Sequence, residues 1–348
     1  MTSDSEPPGS NAAIVIAGAG SVGSHVGARL AAAGRSVTLL LREPLAATIA
    51  QYGLRTSDLD GRDETLPPDA LRLTPDTATA FRSANIVLVT VKSHDTAAMA
   101  QSIAQHAPKG TIVVSLQNGV ENADILRRGL GPDYRVVDAM VPYNVVQRRT
   151  DGNAPHVHRA TSGTIQIESG VAGLRELLDV PGLPVAEHAD IEAALWGKLL
   201  VNLNNALNAL SDLPLLEQLR DRRWRLLISL QIREGLAVLR AAGHSPAPIE
   251  GLPPPLIALG LRLPDGLFRL AARGMMAMDS NARSSMWEDL RAQRPTEIDY
   301  IQGEIVRLAE KYGVPAPLNR RVMQLVKEAE KAGRGSPGLT PEQVAGEQ

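Results

Sequence analysis

The chain has 348 residues, enough for two domains, because a single hydrophobic core stops growing near about 250–300 residues. A hydrophobic share of 44% and a charged share of 21% are ordinary for a globular protein, and a net charge of −2 supplies no field to draw nucleic acid or an anionic membrane. The absence of cysteine excludes disulfides, thiolate zinc sites and a cysteine nucleophile, and it fits a reducing, cytoplasmic setting.

Residues 1–10, MTSDSEPPGS, are polar and acidic without an apolar stretch, so they read as a disordered lead and not as a signal peptide. No run approaches the roughly 18 apolar residues of a transmembrane helix. From Ala12 to Ala17 a continuous apolar run, AAIVIA, suits a strand buried on both faces. An Ala-rich helical pattern follows from Ser21 to Ala33, and Gly34 stops it. Ser36–Leu41 reads as the next strand, which completes a βαβ unit. Further strands are expected at Ile86–Val91, Thr111–Leu116, Arg135–Met140 and Thr164–Ile167, with a helix at Thr96–Gln105 between the first two. This alternation predicts an α/β fold, a doubly wound Rossmann sheet over residues 11–189. The stretch from Met140 to Ile167 should add antiparallel edge strands, with His156 and His158 in loops.

Past Asp190 the patterns become long and helical, at Ile191–Leu210, Leu215–Ala242, Arg283–Gln293, Thr296–Tyr312 and Leu318–Ala332. An all-helical second domain over residues 190–333 follows, with a flexible tail from 334 to 348. Ser245–Gly274, rich in Pro, Gly and Leu, reads as an insertion with short helices. It is a candidate lid or oligomer contact, which leaves a homodimer open.

The chemistry begins at Gly18-Ala19-Gly20-Ser21-Val22-Gly23, a G-x-G-x-x-G that follows a buried strand and opens a helix. Gly18 allows a tight turn, Gly20 lets backbone approach a pyrophosphate, and Gly23 lets the helix pack close to the strand. Ser21 and Val22 open the helix whose positive end would face the phosphates. The second strand ends at Leu41-Arg42-Glu43. Arg42 there suits the 2′-phosphate of NADPH, against the bland reading of a solvated arginine with Glu43 beside it. Lys92 in VKS and Asn118 in QNG stand at later strand ends on the same side of the sheet, where open α/β sheets bind ligands. Isolated histidines without clustered acids predict no metal site.

The glycine loop, VKS around Lys92, QNGVEN around Asn118, LWGKLLVN around Lys198 and SSMWEDLRAQRPTEIDYIQGEIV from Ser284 to Val306 together resemble the ketopantoate reductases (2-dehydropantoate 2-reductases) over nearly the whole chain. The resemblance implies a Rossmann domain joined to a helical domain, with a small 2-oxo acid bound between them. It implies reduction of ketopantoate to pantoate by NADPH, a step toward pantothenate and coenzyme A. Lys198 would be the general acid, with Asn118 and Glu297 beside it. Asn202 and Ser285 would hold the substrate, and Lys92 would sit near the cofactor ribose.

That assignment makes chemical sense, since hydride addition to a ketone leaves negative charge on oxygen and general acid catalysis contributes about 10²–10⁴-fold. At 100° per residue, Asn202 lies about 40° from Lys198 and Asn205 about 20° to the other side, so one helix face would carry all three. Glu297 has a bland alternative. With Pro295 as first helical residue it would be third, where a carboxylate caps backbone amides. One departure stands out. Many members of the family carry a second asparagine eight residues after the lysine, where this chain has Ala206-Leu207 between Asn205 and Asn208. Asn205 would replace it, or a related 2-oxo acid would be the substrate. Alternatives are an opine or 3-hydroxyacid dehydrogenase of similar build, and a non-catalytic NADPH-binding sensor, which the presence of both Lys198 and Glu297 disfavours.

Overall fold

The computed structural model describes residues 9, 11–148, 153–249, 251–272 and 281–346. The expected disordered lead, apart from residue 9, lies outside these, as do residues 250, 273 and 274 of the insertion. The chain divides into two compact units, residues 1–191 and 192–348.

In the first unit the elements run β1 (Ile14–Ala17), α1 (Ser21–Ala32), β2 (Val37–Leu40), α2 (Glu43–Tyr52), β3 (Leu54–Asp58), β4 (Asp63–Leu66), β5 (Arg72–Thr74), α3 (Thr77–Phe81) and β6 (Ile86–Val89). They continue with α4 (Thr96–His106), β7 (Ile112–Ser115), α5 (Asn122–Leu130), β8 (Arg135–Met140), β9 (Val145–Arg148), β10 (His156–Arg159), β11 (Ile165–Glu168), α6 (Leu174–Leu178) and β12 (Val185–His188). Eight strands form one sheet in the order β12-β11-β8-β7-β6-β1-β2-β5. β1 lies between β2 and β6, parallel to both, with Ile14 opposite Val37 and Ile86. All four residues of β1, β6 and β7 are buried, as continuous aliphatic runs between two helical layers require. The chain winds outward from β1 in one direction and then from β6 in the other. This reversal puts the crevice at the carboxyl ends of β1 and β6.

Of the expected antiparallel edge strands, β11 pairs antiparallel with β8 but lies inside β12, the edge strand, and β9 and β10 leave this sheet altogether. Those two join β3 and β4 in a separate four-stranded sheet, β4-β3-β10-β9. His156 and His158, expected in loops, lie on β10 and are buried. The small sheet packs over α1, which explains why this helix buries His25 and Arg29.

The second unit is helical: α7 (Ile191–Asn202, whose first residue closes the first unit), α8 (Asn204–Ser211), α9 (Leu215–Arg220), α10 (Arg222–Ala242), α11 (Pro254–Gly260), α12 (Asp265–Ala271), α13 (Ser285–Arg291), α14 (Ile298–Tyr312), α15 (Pro317–Ala332) and α16 (Pro341–Ala345). The single helix expected from Ile191 to Leu210 is two, meeting at Leu203. There the Gln302 amide of α14 donates to the Leu203 carbonyl at 2.7 Å, supplying a partner where the ladder lapses. Glu234 of α10 accepts from the backbone of Leu318 and Asn319 and from the Asn319 amide, so a buried carboxylate caps the positive end of α15. The insertion forms α11 and α12. It is pinned to α10 by fully buried Arg225, which pairs with Asp265 at 2.6 Å and lies 4.1 Å over the Phe268 ring, and by Ser229 bonded to the Ala258 carbonyl. The tail expected to be flexible carries α16, closed by a Thr340–Gln343 capping box, and Leu339 bonds back to the Leu210 carbonyl. Pro341 and Val344 bury the two apolar side chains that hold it down.

Candidate active site

The crevice of the first unit is shaped by its glycines. Gly18 has φ +99°, and a Cβ there would meet Val91 at 2.5 Å. At Gly23 a Cβ would strike Thr90 Oγ1 at 2.4 Å and the Gly18 carbonyl at 2.7 Å, so helix and strands touch at this point. Gly20, the N-cap of α1, has nothing within 4 Å of where its Cβ would be. Open space in front of the backbone amides of a helix start is where a diphosphate fits. Arg42 is the N-cap of α2, is exposed, and has no carboxylate partner among the described residues, Glu43 included.

Lys92 and Asn118 are set by a buried amide and hydroxyl network that sequence reasoning passed over. Gln117 donates to the Val91 carbonyl and to Thr96 Oγ1, and Thr96 donates to Asn122 Oδ1. Asn122 reaches Ser93 Oγ and the Asn118 carbonyl, which Ser93 Oγ also donates to. VKS and QNGVEN are therefore one hydrogen-bonded corner. The signal was present as polar residues inside otherwise apolar strand ends, each too costly to bury alone.

In the second unit Lys198 and Asn202 lie on α7. Trp196 and Gly197 of the same motif clamp that helix to the start of the insertion. The Trp196 ring stands 4.7 Å from His244, and a Cβ on Gly197 would strike the Ala247 carbonyl at 2.4 Å. Burial pulls the Lys198 ammonium down from its ordinary value to about 8, while the nearby Glu297 carboxylate pushes it upward. Glu297 is 5% exposed and does not do what its helix position offers. α14 begins at Ile298, Glu297 occupies the N-cap position, and its side chain makes no capping bond. Thr296 Oγ1 accepts from Ile298 N instead. The carboxylate is left for the lysine.

Ser285 opens α13. Ser284 before it caps that helix through Trp287 N, donates its hydroxyl to the Asn205 carbonyl at 2.9 Å, and donates its amide to Asn208 Oδ1 at 2.9 Å. Asn205 and Ser285 are thus brought to one corner. Asn208 is fully buried and also reaches the Leu213 carbonyl, so it ties helices together. Ala206 and Leu207 are fully buried as well. Asn204, which the sequence pattern did not single out, buries a side-chain oxygen with no protein partner among the described residues.

A dinucleotide-shaped loop on a Rossmann sheet and a depressed lysine beside a carboxylate define the class, a nicotinamide-dependent oxidoreductase. The comparisons narrow it. Residues 14–171 match the family model described as ketopantoate reductase PanE/ApbA, and residues 190–330 match that of its C-terminal part. A crystal structure of a PanE/ApbA family ketopantoate reductase from Ralstonia eutropha is 32% identical with a TM-score of 0.76, the match covering 92% of this chain and 99% of that one. The 2-dehydropantoate 2-reductase of Halobacterium salinarum is 27% identical over 328 residues, 92% of this chain and 99% of that relative. D-mandelate dehydrogenase in complex with NADH and anilino(oxo)acetate, at 23% identity and a TM-score of 0.74 over 92% of this chain and 99% of that one, shares the fold. The chain belongs to the ketopantoate reductase family.

Proposed function

We propose that the protein reduces 2-dehydropantoate to pantoate with NADPH, the reduction that leads toward pantothenate and coenzyme A. The observation that carries this reading is the Lys198–Glu297 pair, in which a carboxylate passes over a capping position and faces an ammonium held near 8. When bound, the nicotinamide supplies a hydride to the carbonyl carbon. Lys198 gives its proton to the oxygen as negative charge develops there. With a value near 8 it is still mostly protonated at neutral pH, yet it parts with the proton more readily than an ordinary lysine. Glu297 holds the ammonium in place and limits how far burial can discharge it. Asn202 and Ser285 are the substrate-holding groups, with Asn205 at the same corner as Ser285. Backbone amides at Ser21 and Val22 take the pyrophosphate across the open space at Gly20. Arg42 forks onto the 2′-phosphate, and Lys92 and Asn118 meet the ribose and nicotinamide.

A related 2-oxo acid is favoured as second reading by one observation. Buried Ala206 and Leu207 and the engaged Asn208 leave Asn204 and Asn205 as the amides available to a distal hydroxyl in that stretch. The test is NADPH oxidation against a panel of 2-oxo acids. Ketopantoate should give the highest kcat/KM, and a tenfold preference for another acid would move the assignment to that acid.

The assembly we propose is a homodimer through α10–α12. Leu226, Leu230, Leu256, Leu259, Leu267 and Leu270 are 37–59% exposed there, and Leu252 just before α11 is 41% exposed. Seven leucines this exposed on neighbouring elements are more than single exposed leucines explain. The only charges in residues 251–272 are Arg262, Asp265 and Arg269, so the face suits a second copy of itself in a two-fold contact. Light scattering should give twice the chain mass, and Leu256→Glu with Leu267→Glu should give a folded monomer. A wild-type monomer at micromolar concentration would remove the dimer from the proposal.

A further inference from the structure

One cleft of the second unit is used by nothing above. It encloses about 360 Å³ between the end of α8, the side of α13 that bears Trp287 and Arg291, and residues 333–336 after α15. Among the described residues only Asp212 and Gln293 are non-glycine residues with positive φ, at +58° and +53°, and both line this cleft. Each follows a helix end, where glycine is the unstrained choice. Their side chains explain why glycine is not used. Asp212 accepts from the Trp287 indole at 2.7 Å, and the Gln293 amide donates to the Gly333 carbonyl. Non-glycine residues in this conformation persist where the surroundings hold them, and they concentrate at ligand sites.

The charge in the cleft is unbalanced. Two guanidinium groups lie over the Trp287 ring, Arg283 at 4.3 Å and Arg291 at 5.1 Å. Arg283 is matched by Asp212 at 3.5 Å. Arg291 and Arg334 have no carboxylate within pairing distance among the described residues, and both line the cleft. Ser336 adds a buried hydroxyl oxygen without a protein partner. Two arginine forks and a hydroxyl lining one space suit the oxygens of a phosphate group.

We propose that this cleft binds the phosphoryl group of a small phosphorylated molecule, through Arg291, Arg334 and Ser336. Trp287 and Arg291 stand on α13 about 200° and 240° around from Ser285 at its first position, so the site is on the far side of the helix from the proposed substrate serine. An anion seated there braces the helix that carries Ser285. That consequence rests on the proposed function, and the binding itself does not.

Calorimetry on the full chain with inorganic pyrophosphate as probe, under saturating NADP⁺, tests it. Saturable binding is expected to weaken at least tenfold in Arg291→Ala and in Arg334→Ala, to weaken with added salt, and to be unchanged in Arg42→Ala. Both arginines are exposed, so the variants should keep the wild-type melting temperature. Absence of saturable binding to the wild type, or equal affinity in the Arg291→Ala/Arg334→Ala double variant, overturns the site. Loss in Arg42→Ala alone assigns the anion to the glycine loop and overturns it equally.

Discussion

Two clusters of charged groups in this protein differ in what those groups are engaged with. Under the small sheet, Asp58 has a fully buried carboxylate, which accepts from the backbone of Asp60 and Arg62 and faces Arg159 at 3.7 Å. Arg159 also pairs with Asp60 and stands 5.7 Å over the Tyr143 ring, while Ser57 bridges His156 and His158 at 2.7 Å each. The same surroundings hold His25 down to about 3, chiefly through burial, so it stays neutral at physiological pH. That cluster closes the β3–β4 turn and fixes the sheet to α1. Glu297 is buried and Lys198 half-buried, but the carboxylate forgoes its helix cap and the lysine is shifted toward neutrality. Burial of charge does not by itself mark a site. A titratable group left poised near neutral pH beside a carboxylate that does not cap its own helix is the better sign.

The contrast can be broken at either place. The largest effect is expected for Lys198→Ala, which should lower kcat about 10²–10⁴-fold while NADPH affinity, read by fluorescence titration, stays within about twofold. Normal turnover in that variant would exonerate the lysine. In the wild type, the reduction rate should fall as pH rises through about 8, because the proton to be donated is lost there. Glu297 raises the lysine, so Glu297→Gln should move that fall to lower pH. Next in size, Arg159→Ala removes one of the two guanidinium groups facing the buried Asp58 carboxylate, Arg62 at 3.4 Å being the other, and should cost about 1–3 kcal/mol in urea unfolding. Turnover per folded molecule should be nearly unchanged. If activity fell with stability intact, the small sheet would belong to the catalytic machinery.

The same contrast explains what could be read in advance. β1, β6 and β7 were legible because strands buried on both faces appear as unbroken aliphatic runs, and Gly18, Gly20 and Gly23 because each glycine answers a separate steric demand. The small sheet was hidden. β4, with sequence DETL, has three exposed residues of four, and β10, with sequence HVHR, buries polar side chains that only a partner network makes tolerable. α7 and α8 read as one helix because Leu203 keeps helical dihedrals, and the interruption depends on Gln302, 99 positions away. The tail was misjudged because α16 is held by two buried side chains and a capping box, too short for any periodic pattern. Lys198 and Glu297 came from the family's motif, and the helix cap that Glu297 declines could be known only from the structure.

Arg42 gives the smallest and most selective of the expected effects. It is exposed and unpaired with carboxylates, so removing it leaves no buried charge behind and should not disturb folding. Its value lies entirely in the ligand. A guanidinium on a 2′-phosphate is a charge-assisted contact of about 1.5–3 kcal/mol, whereas a 2′-hydroxyl offers it little. Arg42→Ala should therefore raise the KM for NADPH roughly tenfold to a hundredfold and leave that for NADH within about twofold. The ratio is the informative quantity, since a general loosening of the α1 or α2 starts would weaken both cofactors alike. Equal losses for the two would mean that Arg42 is a solvated helix-start arginine, and that the 2′-phosphate is recognised elsewhere in the first unit. The preference should also shrink as ionic strength rises, because an exposed contact is screened within a Debye length of about 8–10 Å, while half-buried Lys198 beside buried Glu297 should largely keep its pH profile over the same range of salt.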